Sequence, residues 1–240
     1  MALKAPQPMT RRYYVRDLIP SGGEIALPTQ EAHHALRVMR VQVGDEIELF
    51  DGEGNQARAT ICRIERKECF CQQDPVSDVS REPSVALHFA IALPKPDRAR
   101  ELVERLTELG VHRLTPVIAD RTQRPPSVSQ IDKLKRAVVE ACKQCGRNQI
   151  MQIEEARKSS ELFRTSNDET MIIAHPDGSP IEAILPIRAS AKIAIGPEGG
   201  WTESELEAAR QAGYTQVGLG SRIYRVETAA IATAAKMITD

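Results

Sequence analysis

Ile193-Ala194-Ile195-Gly196-Pro197-Glu198-Gly199-Gly200-Trp201-Thr202-Glu203-Ser204-Glu205 decides how this chain is read. The apolar run ends a strand, the glycines at 196, 199 and 200 make a loop, and Thr202 with Glu205 three residues later forms a capping box that opens a helix. Glycines there let the backbone approach a ligand closely and leave amide N–H groups free to bind it. No Gly-Lys-Ser/Thr follows, so this is not a phosphate-binding P-loop, and the glycine spacing is not that of a dinucleotide fingerprint. The competing reading is a tight strand-to-helix turn with no ligand.

A second loop, Gly218-Leu219-Gly220-Ser221-Arg222-Ile223-Tyr224-Arg225-Val226-Glu227-Thr228-Ala229, again follows a strand and precedes a helix. It places Arg222, Arg225 and Glu227 at the carboxyl end of a strand, where open α/β sheets bind their ligands. Glu227 could alternatively do no more than complement the positive end of the helix. Outward from these loops, short apolar runs predict strands at Val85–Leu93, Arg113–Ile118, Met171–His175, Lys192–Ile195 and Gln216–Leu219. Helices are predicted between them at Asp97–Leu109, Ser129–Cys145, Glu203–Ala212 and Glu227–Ile238. Strand–helix alternation of this kind means an α/β fold with a mostly parallel sheet covered on both sides.

The N-terminal part is different. Tyr13–Val15, Glu24–Leu27, Glu46–Phe50, Ala57–Ile64 and Glu68–Gln72 read as short strands, with Asp51-Gly52-Glu53-Gly54 as a hairpin turn. One helix is predicted over Thr29–Arg40, with Thr29 as its N-cap. The polar segment Asp78–Ser84 separates the two patterns, dividing the chain into domains at 1–80 and 81–240.

The 240 residues carry 32 Lys and Arg against 33 Asp and Glu, which excludes a polybasic protein that binds by bulk charge. The balance is uneven along the chain: residues 76–150 hold 13 basic and 9 acidic residues, residues 151–240 hold 9 and 13. Arginines beside aromatics, as in Arg11-Arg12-Tyr13-Tyr14, suit RNA, since a guanidinium grips phosphate while a ring stacks on a base. Arg16, Arg37, Arg40, Lys95, Arg121 and Arg147 are further basic candidates, with solvated helix faces as the bland alternative. Met1–Thr10 has no apolar segment after it and reads as a disordered lead-in, and no run is long enough to cross a bilayer. Five cysteines suit a reducing compartment and hence the cytoplasm. Cys142 and Cys145 have the spacing of half a zinc site, but Cys69 and Cys71 complete it poorly, so no metal is expected. The histidines show no ligand spacing; His175, before Pro176 at a strand end, is the one near the glycine loops.

Together these segments resemble the RsmE family of 16S ribosomal RNA uridine-N3 methyltransferases, of the SPOUT class. The resemblance is carried by Arg12-Tyr13-Tyr14, Gly44-Asp45, Leu49-Phe50-Asp51-Gly52, Leu93-Pro94-Lys95, Thr107-Glu108-Leu109-Gly110-Val111, Gln144-Cys145-Gly146-Arg147-Asn148 and the two glycine loops. It implies a PUA-like β-barrel that grips RNA, with Arg11, Arg12, Tyr13, Arg37, Arg40, Lys95, Arg121 and Arg147 as contacts. It further implies an α/β domain with a C-terminal trefoil knot that binds S-adenosylmethionine, and a homodimer acting on 16S rRNA or the small ribosomal subunit. The cofactor loops then fall on His175, Pro176, Ile195, Gly196, Pro197, Glu198, Gly199, Gly200, Leu219, Gly220, Ser221, Ile223, Tyr224, Arg225 and Thr228. Tyr224 stands where the family usually has an aliphatic residue, Val226 where it has Thr, and Arg105 where it has Lys. Methyl transfer to uracil N3 requires loss of the imide proton. Arg225 is the candidate for stabilising the resulting charge, and Glu227 or Glu198 the candidate proton acceptor. Methylation of a tRNA or large-subunit rRNA, and noncatalytic RNA binding, are the alternatives.

Overall fold

The computed structural model describes residues 11–163, 169–187 and 189–238, so the lead-in expected at Met1–Thr10 lies outside the described residues. The chain forms two compact units, the first made of the residues up to Arg81 together with Cys142–Ile150, the second of Glu82–Ala141 and the residues from Met151 onward.

In the first unit, β1 (Arg11–Tyr14), β2 (Gly23–Ala26), β3 (Glu46–Phe50), β4 (Asn55–Glu65), β5 (Glu68–Gln73) and β6 (Ser77–Asp78) form a six-stranded sheet. Its order is β1-β3-β4-β5-β2 with β6 on β4; β1 and β3 are parallel and the other pairs antiparallel. Ala57, Ala59 and Ile61 of β4 point inward while Arg58, Thr60 and Cys62 face out, the period-two pattern of a sheet wetted on one side. Tyr13, Leu27, Ile47, Leu49, Ile61, Cys69 and Cys71 share a core with Ala32 and Ala35 of the helix α1 (Thr29–Arg37). Two details correct the sequence reading. The helix cap is Pro28 rather than Thr29, with no side-chain capping bond, and the helix stops at Arg37, short of the left-handed Arg40 (φ 51°).

The second unit runs β7 (Ala86–Ile91), α2 (Pro96–Glu108), β8 (Arg113–Ile118), α3 (Val128–Cys145), β9 (Gln152–Ile153), β10 (Arg157–Lys158), α4 (Ser159–Leu162), β11 (Thr170–Pro180), β12 (Ser190–Ile195), α5 (Glu203–Gln211), β13 (Thr215–Gly218) and α6 (Val226–Met237). Its strands form one sheet in the order β10-β8-β7-β12-β11-β13, with β9 on β8, and all the pairings are parallel. Central strands are buried on both faces: Ala90, Ala194 and Ile173 pack with Trp201, Leu206 and Ala209 under α5, while α6 lies against β7, β12 and α2.

β11 runs well past His175, where the sequence pattern ends it. Both Ala174 and Ser179 pair with Val217 of β13, so His175–Gly178 stand out as a bulge between them. The two backbones touch there. A Cβ on Gly178 would lie 2.5 Å from the amide N and carbonyl C of Val217, and one on Gly218 would lie 2.8 Å from Gly178 O. Only glycine fits at either place.

Candidate active site

In this sheet β12, β11 and β13 are neighbours and parallel, so their carboxyl ends share one edge. The loop after β12, the bulge in β11 and the loop after β13 therefore meet at that edge, at the place where open parallel sheets bind ligands. This brings His175, Pro176, Gly196–Gly200 and Leu219–Arg225 into one region.

The glycine loop after β12 is held from several sides. Gly200 takes φ 72° and its N–H donates to Pro197 O at 2.8 Å, closing a tight turn. Gly196 makes room for Trp201: a Cβ there would stand 3.0 Å from the indole Cε2 and Nε1. Trp201 is buried edge-on against Phe163, with ring centroids 5.5 Å apart. The Arg121 guanidinium Nη1 donates to Gly199 O at 2.8 Å and to Trp201 O at 3.2 Å. The capping box forms as the sequence predicts, with Glu205 N donating to the Thr202 hydroxyl and Thr202 N donating to Glu205 Oε2 at 2.9 Å. Glu205 Oε1 also accepts from Asp120 N at 3.0 Å, and the Thr202 hydroxyl donates to Asp120 Oδ2 at 3.1 Å. Burial pushes the Glu205 carboxyl up, but hydrogen bonds from the Thr202 and Asp120 amides outweigh it and leave its pKa below the usual carboxylate range. The turn after β8, Ala119–Thr122, thus clasps the loop and the start of α5.

Across the edge, Gly220 takes φ 109° and Ile223 is 88% exposed. Arg222 Nη2 donates to the Tyr224 hydroxyl at 3.4 Å, so the ring that departs from the family pattern is tied into the loop itself. Arg225 is the N-cap residue of α6: its carbonyl accepts from Ala229 N at 2.8 Å, and its side chain is exposed with no partner among the described residues. Two residues on, Glu227 Oε1 lies 3.7 Å from Arg98 Nε, while its Oε2 is buried without a hydrogen-bond partner among the described residues. Glu198, Gly199, Gly220, Ser221 and Thr228 are exposed, Ile195 is buried, and Leu219 and Tyr224 lie between. His175 Nδ1 accepts from Asp177 N at 3.2 Å, holding the bulge tip.

The basic candidates divide sharply. Tyr13, expected to stack on a base, is only 1% exposed and belongs to the core of the first unit. Arg12 is withdrawn as well: it pairs with Glu48 at 2.6 Å, donates to Cys142 O at 2.7 Å and to Asn148 Oδ1, and stacks on Phe50. Arg147 is 3% exposed, Arg11 pairs with Asp45 at 2.6 Å, and Arg121 is committed to the glycine loop. Arg37, Arg40 and Lys95 are exposed and make no side-chain hydrogen bond or ion pair among the described residues. Arg98 and Asp120 are the site residues that sequence reasoning missed.

The sequence model of the RNA methyltransferase domain matches residues 81–238, and that of the RNA methyltransferase PUA domain matches residues 27–73. Over 212 residues the chain is 30% identical to ribosomal RNA small subunit methyltransferase E of Synechocystis sp., covering 85% of this chain and 69% of that protein. The chain belongs to the ribosomal RNA small subunit methyltransferase E family. The member from Bacillus subtilis is 27% identical over 241 residues, spanning 91% of this chain and 92% of its own length. A crystal structure of the Neisseria gonorrhoeae member bound to S-adenosyl methionine has a TM-score of 0.88 to this chain at 28% identity, covering 95% of one and 96% of the other. The α/β fold with its parallel sheet, and the PUA-like N-terminal domain, are those the resemblance implied. Among the described residues no helix is long and apolar enough to cross a membrane, and no group of three or more His, Cys, Asp or Glu could hold a metal ion.

The edge described above suits S-adenosylmethionine. The amides of Glu198 and Gly199 have no acceptor among the described residues, the glycines keep the backbone bare, and the carboxylates of Glu198 and Glu227 complement a cationic sulfur.

Proposed function

We propose that this chain methylates N3 of a uridine in 16S rRNA of the small ribosomal subunit, using S-adenosylmethionine, and does so in the cytoplasm. The observation that carries the reading is the meeting of two glycine loops and the β11 bulge at one sheet edge, with an arginine at the start of α6 that has no side-chain partner among the described residues. The names of the relatives point to small-subunit rRNA, and the donor-bound neighbour points to the cofactor.

Bound across Gly196–Gly200, Leu219–Thr228 and the His175–Pro176 tip, the donor supplies an already activated methyl group. The chain's own task is to position uracil and make N3 nucleophilic. Arg225, free and at the mouth, stabilises the negative charge that spreads onto the imide oxygens as the proton leaves. Glu227 is the better placed proton acceptor: Arg98 fixes one carboxylate oxygen, and the other is buried with no bond to give up. Glu198 is exposed to solvent and serves better as a counter-charge.

The same reading takes residues 1–80 as the RNA-gripping PUA-like domain and 81–240 as a knotted methyltransferase domain that pairs with a second copy. The knot is carried by the family resemblance, through the match of residues 81–238 to the RNA methyltransferase domain. The dimer likewise rests on the family resemblance. Nucleoside mass spectrometry of 16S rRNA from a deletion strain tests the reaction. Loss of N3-methyluridine, restored by the wild-type gene and not by Arg225→Ala, is the expected result; persistence of the mark would overturn it.

A further inference from the structure

With Arg12, Tyr13 and Arg147 withdrawn from solvent, the first unit needs another surface for RNA. A groove of about 610 Å³ lies beside α1, lined by Thr29, Gln30, His33, Leu36, Arg37, Arg66 and Lys67. That is within the roughly 300–1,000 Å³ of small-ligand clefts. Its walls come from α1 and from the turn that joins β4 to β5, its lining is largely apolar, and it includes no carboxylate. Arg37, Arg66 and Lys67 are exposed, and none makes a side-chain hydrogen bond or ion pair among the described residues. Of the acidic residues flanking that turn, Glu65 pairs with Arg63 at 2.5 Å, and Glu68 does not line the groove.

Unspent cations over an apolar floor match a chain of phosphates carrying flat bases. Phosphate contacts position the ligand, and the floor with its imidazole accepts base faces. Just beyond α1, Val38 and Val43 stand 62% and 61% exposed on either side of the free Arg40, extending the same mixed surface along the chain. Among the described residues Arg40 and Arg66 are the non-glycine residues with positive φ, at 51° and 50°; at Arg66 this is the backbone of a two-residue hairpin turn, which projects Arg66 and Lys67 from the tip of β4 and β5.

We infer that the groove between α1 and the β4–β5 turn holds single-stranded RNA through Arg37, Arg66 and Lys67. The inference rests on the RNA-methylating reading above and names the surface that serves it. The test is fluorescence anisotropy with a labelled single-stranded oligouridylate and with 16S rRNA, over a salt series, for wild type and for the variant Arg37→Glu, Arg66→Glu, Lys67→Glu. Calorimetry with S-adenosylmethionine runs alongside as a check on the other unit. Expected are a loss of RNA affinity of at least about tenfold and a log–log salt slope shallower by about 2, from three contacts at about 0.7 each on single strands, with donor affinity kept. Unchanged RNA affinity and slope in a variant that still binds the donor would overturn the groove while leaving the methyltransferase reading intact. Wild-type protein that binds the donor and no RNA would overturn both. Should the triple reversal fail to fold, Arg66→Gln and Lys67→Gln, each on an exposed turn, make the same comparison.

Discussion

Arg121 offers the sharpest test of how the site is built, because it was expected to touch RNA and the structure instead places its guanidinium on the glycine loop. Its Nη1 bonds to Gly199 O and Trp201 O, the carbonyls on either side of Gly200. A charged donor on a carbonyl is worth roughly 1.5–3 kcal/mol when shielded from water. Arg121 is largely exposed, so the two bonds together are better set at about 1–2 kcal/mol, after solvent competition. If that free energy keeps the loop in its binding conformation, Arg121→Ala lowers the population competent to bind, and the apparent Kd rises in proportion. At about 1.4 kcal/mol per tenfold, the dissociation constant for S-adenosylmethionine should rise roughly 5- to 30-fold. Calorimetry with the donor and anisotropy with RNA, on the same preparation, separate the two roles. Donor affinity falls and RNA affinity holds if Arg121 is a clasp. Donor affinity within about twofold of wild type, together with weakened RNA binding, would refute the reasoning and return Arg121 to the RNA surface. Arg121→Lys should recover only part of the loss, since an ammonium is more strongly hydrated than a guanidinium and its flexible stem is less pre-organised to hold one nitrogen between two carbonyls.

Other perturbations probe the frame around the loops. Gly178→Ala forces a methyl onto Val217 backbone atoms that cannot turn aside; thermal melting should show a loss of about 3 kcal/mol or more, and an unchanged melt would contradict the close passage of β11 and β13. Arg12→Ala strands Glu48 and several acceptors behind a 7%-exposed side chain, and should cost about 3 kcal/mol in urea unfolding; a loss confined to RNA binding would argue for a surface role. Glu205, whose pKa is lowered on folding, stabilises the protein above its unfolded pKa near 4.5, and that contribution is lost as pH falls through the lower folded value. The gap in melting temperature between wild type and Glu205→Gln should therefore be full at neutral pH and narrow below about pH 4.5; a gap independent of pH would show that the charge is not what matters.

The parts of this molecule that could be read from the sequence are those whose partners lie close along the chain. The strand, glycine loop and capping box of residues 193–205 are a local pattern, and they form as read. The strands of the first unit alternate visibly, and β3 and β8 begin and end where the pattern puts them. What escaped depends on distant neighbours. Arg12 and Tyr13 looked alike as a basic-aromatic pair, yet successive residues of a strand face opposite ways. Tyr13 went to the core, and Arg12 was capped by Cys142–Ile150, a segment that nothing near Arg12 announces. The sequence pattern ends this strand at His175, where Pro176 interrupts the apolar run; pairing with β13 carries β11 on to Pro180. β9 and β10, two residues each, carry no period to detect.

The fates of the arginines explain how a chain with no net basicity can serve an RNA substrate. Carboxylate partners neutralise Arg11, Arg12 and Arg63, so these charges present little field to a polyanion, and Arg121 is tied to the carbonyls of the glycine loop. Arg37, Arg40, Arg66, Lys67, Lys95 and Arg225 have none among the described residues. At physiological ionic strength a surface charge acts over about 8 Å, so cations spread evenly over the molecule would not reinforce one another, whereas three around one groove can. Three of the free cations gather around one groove and so make a local grip within a neutral composition, and Arg225 stands exposed beside the glycine loops. Because near-zero net charge adds little long-range attraction, RNA binding in such a molecule depends on that local grip.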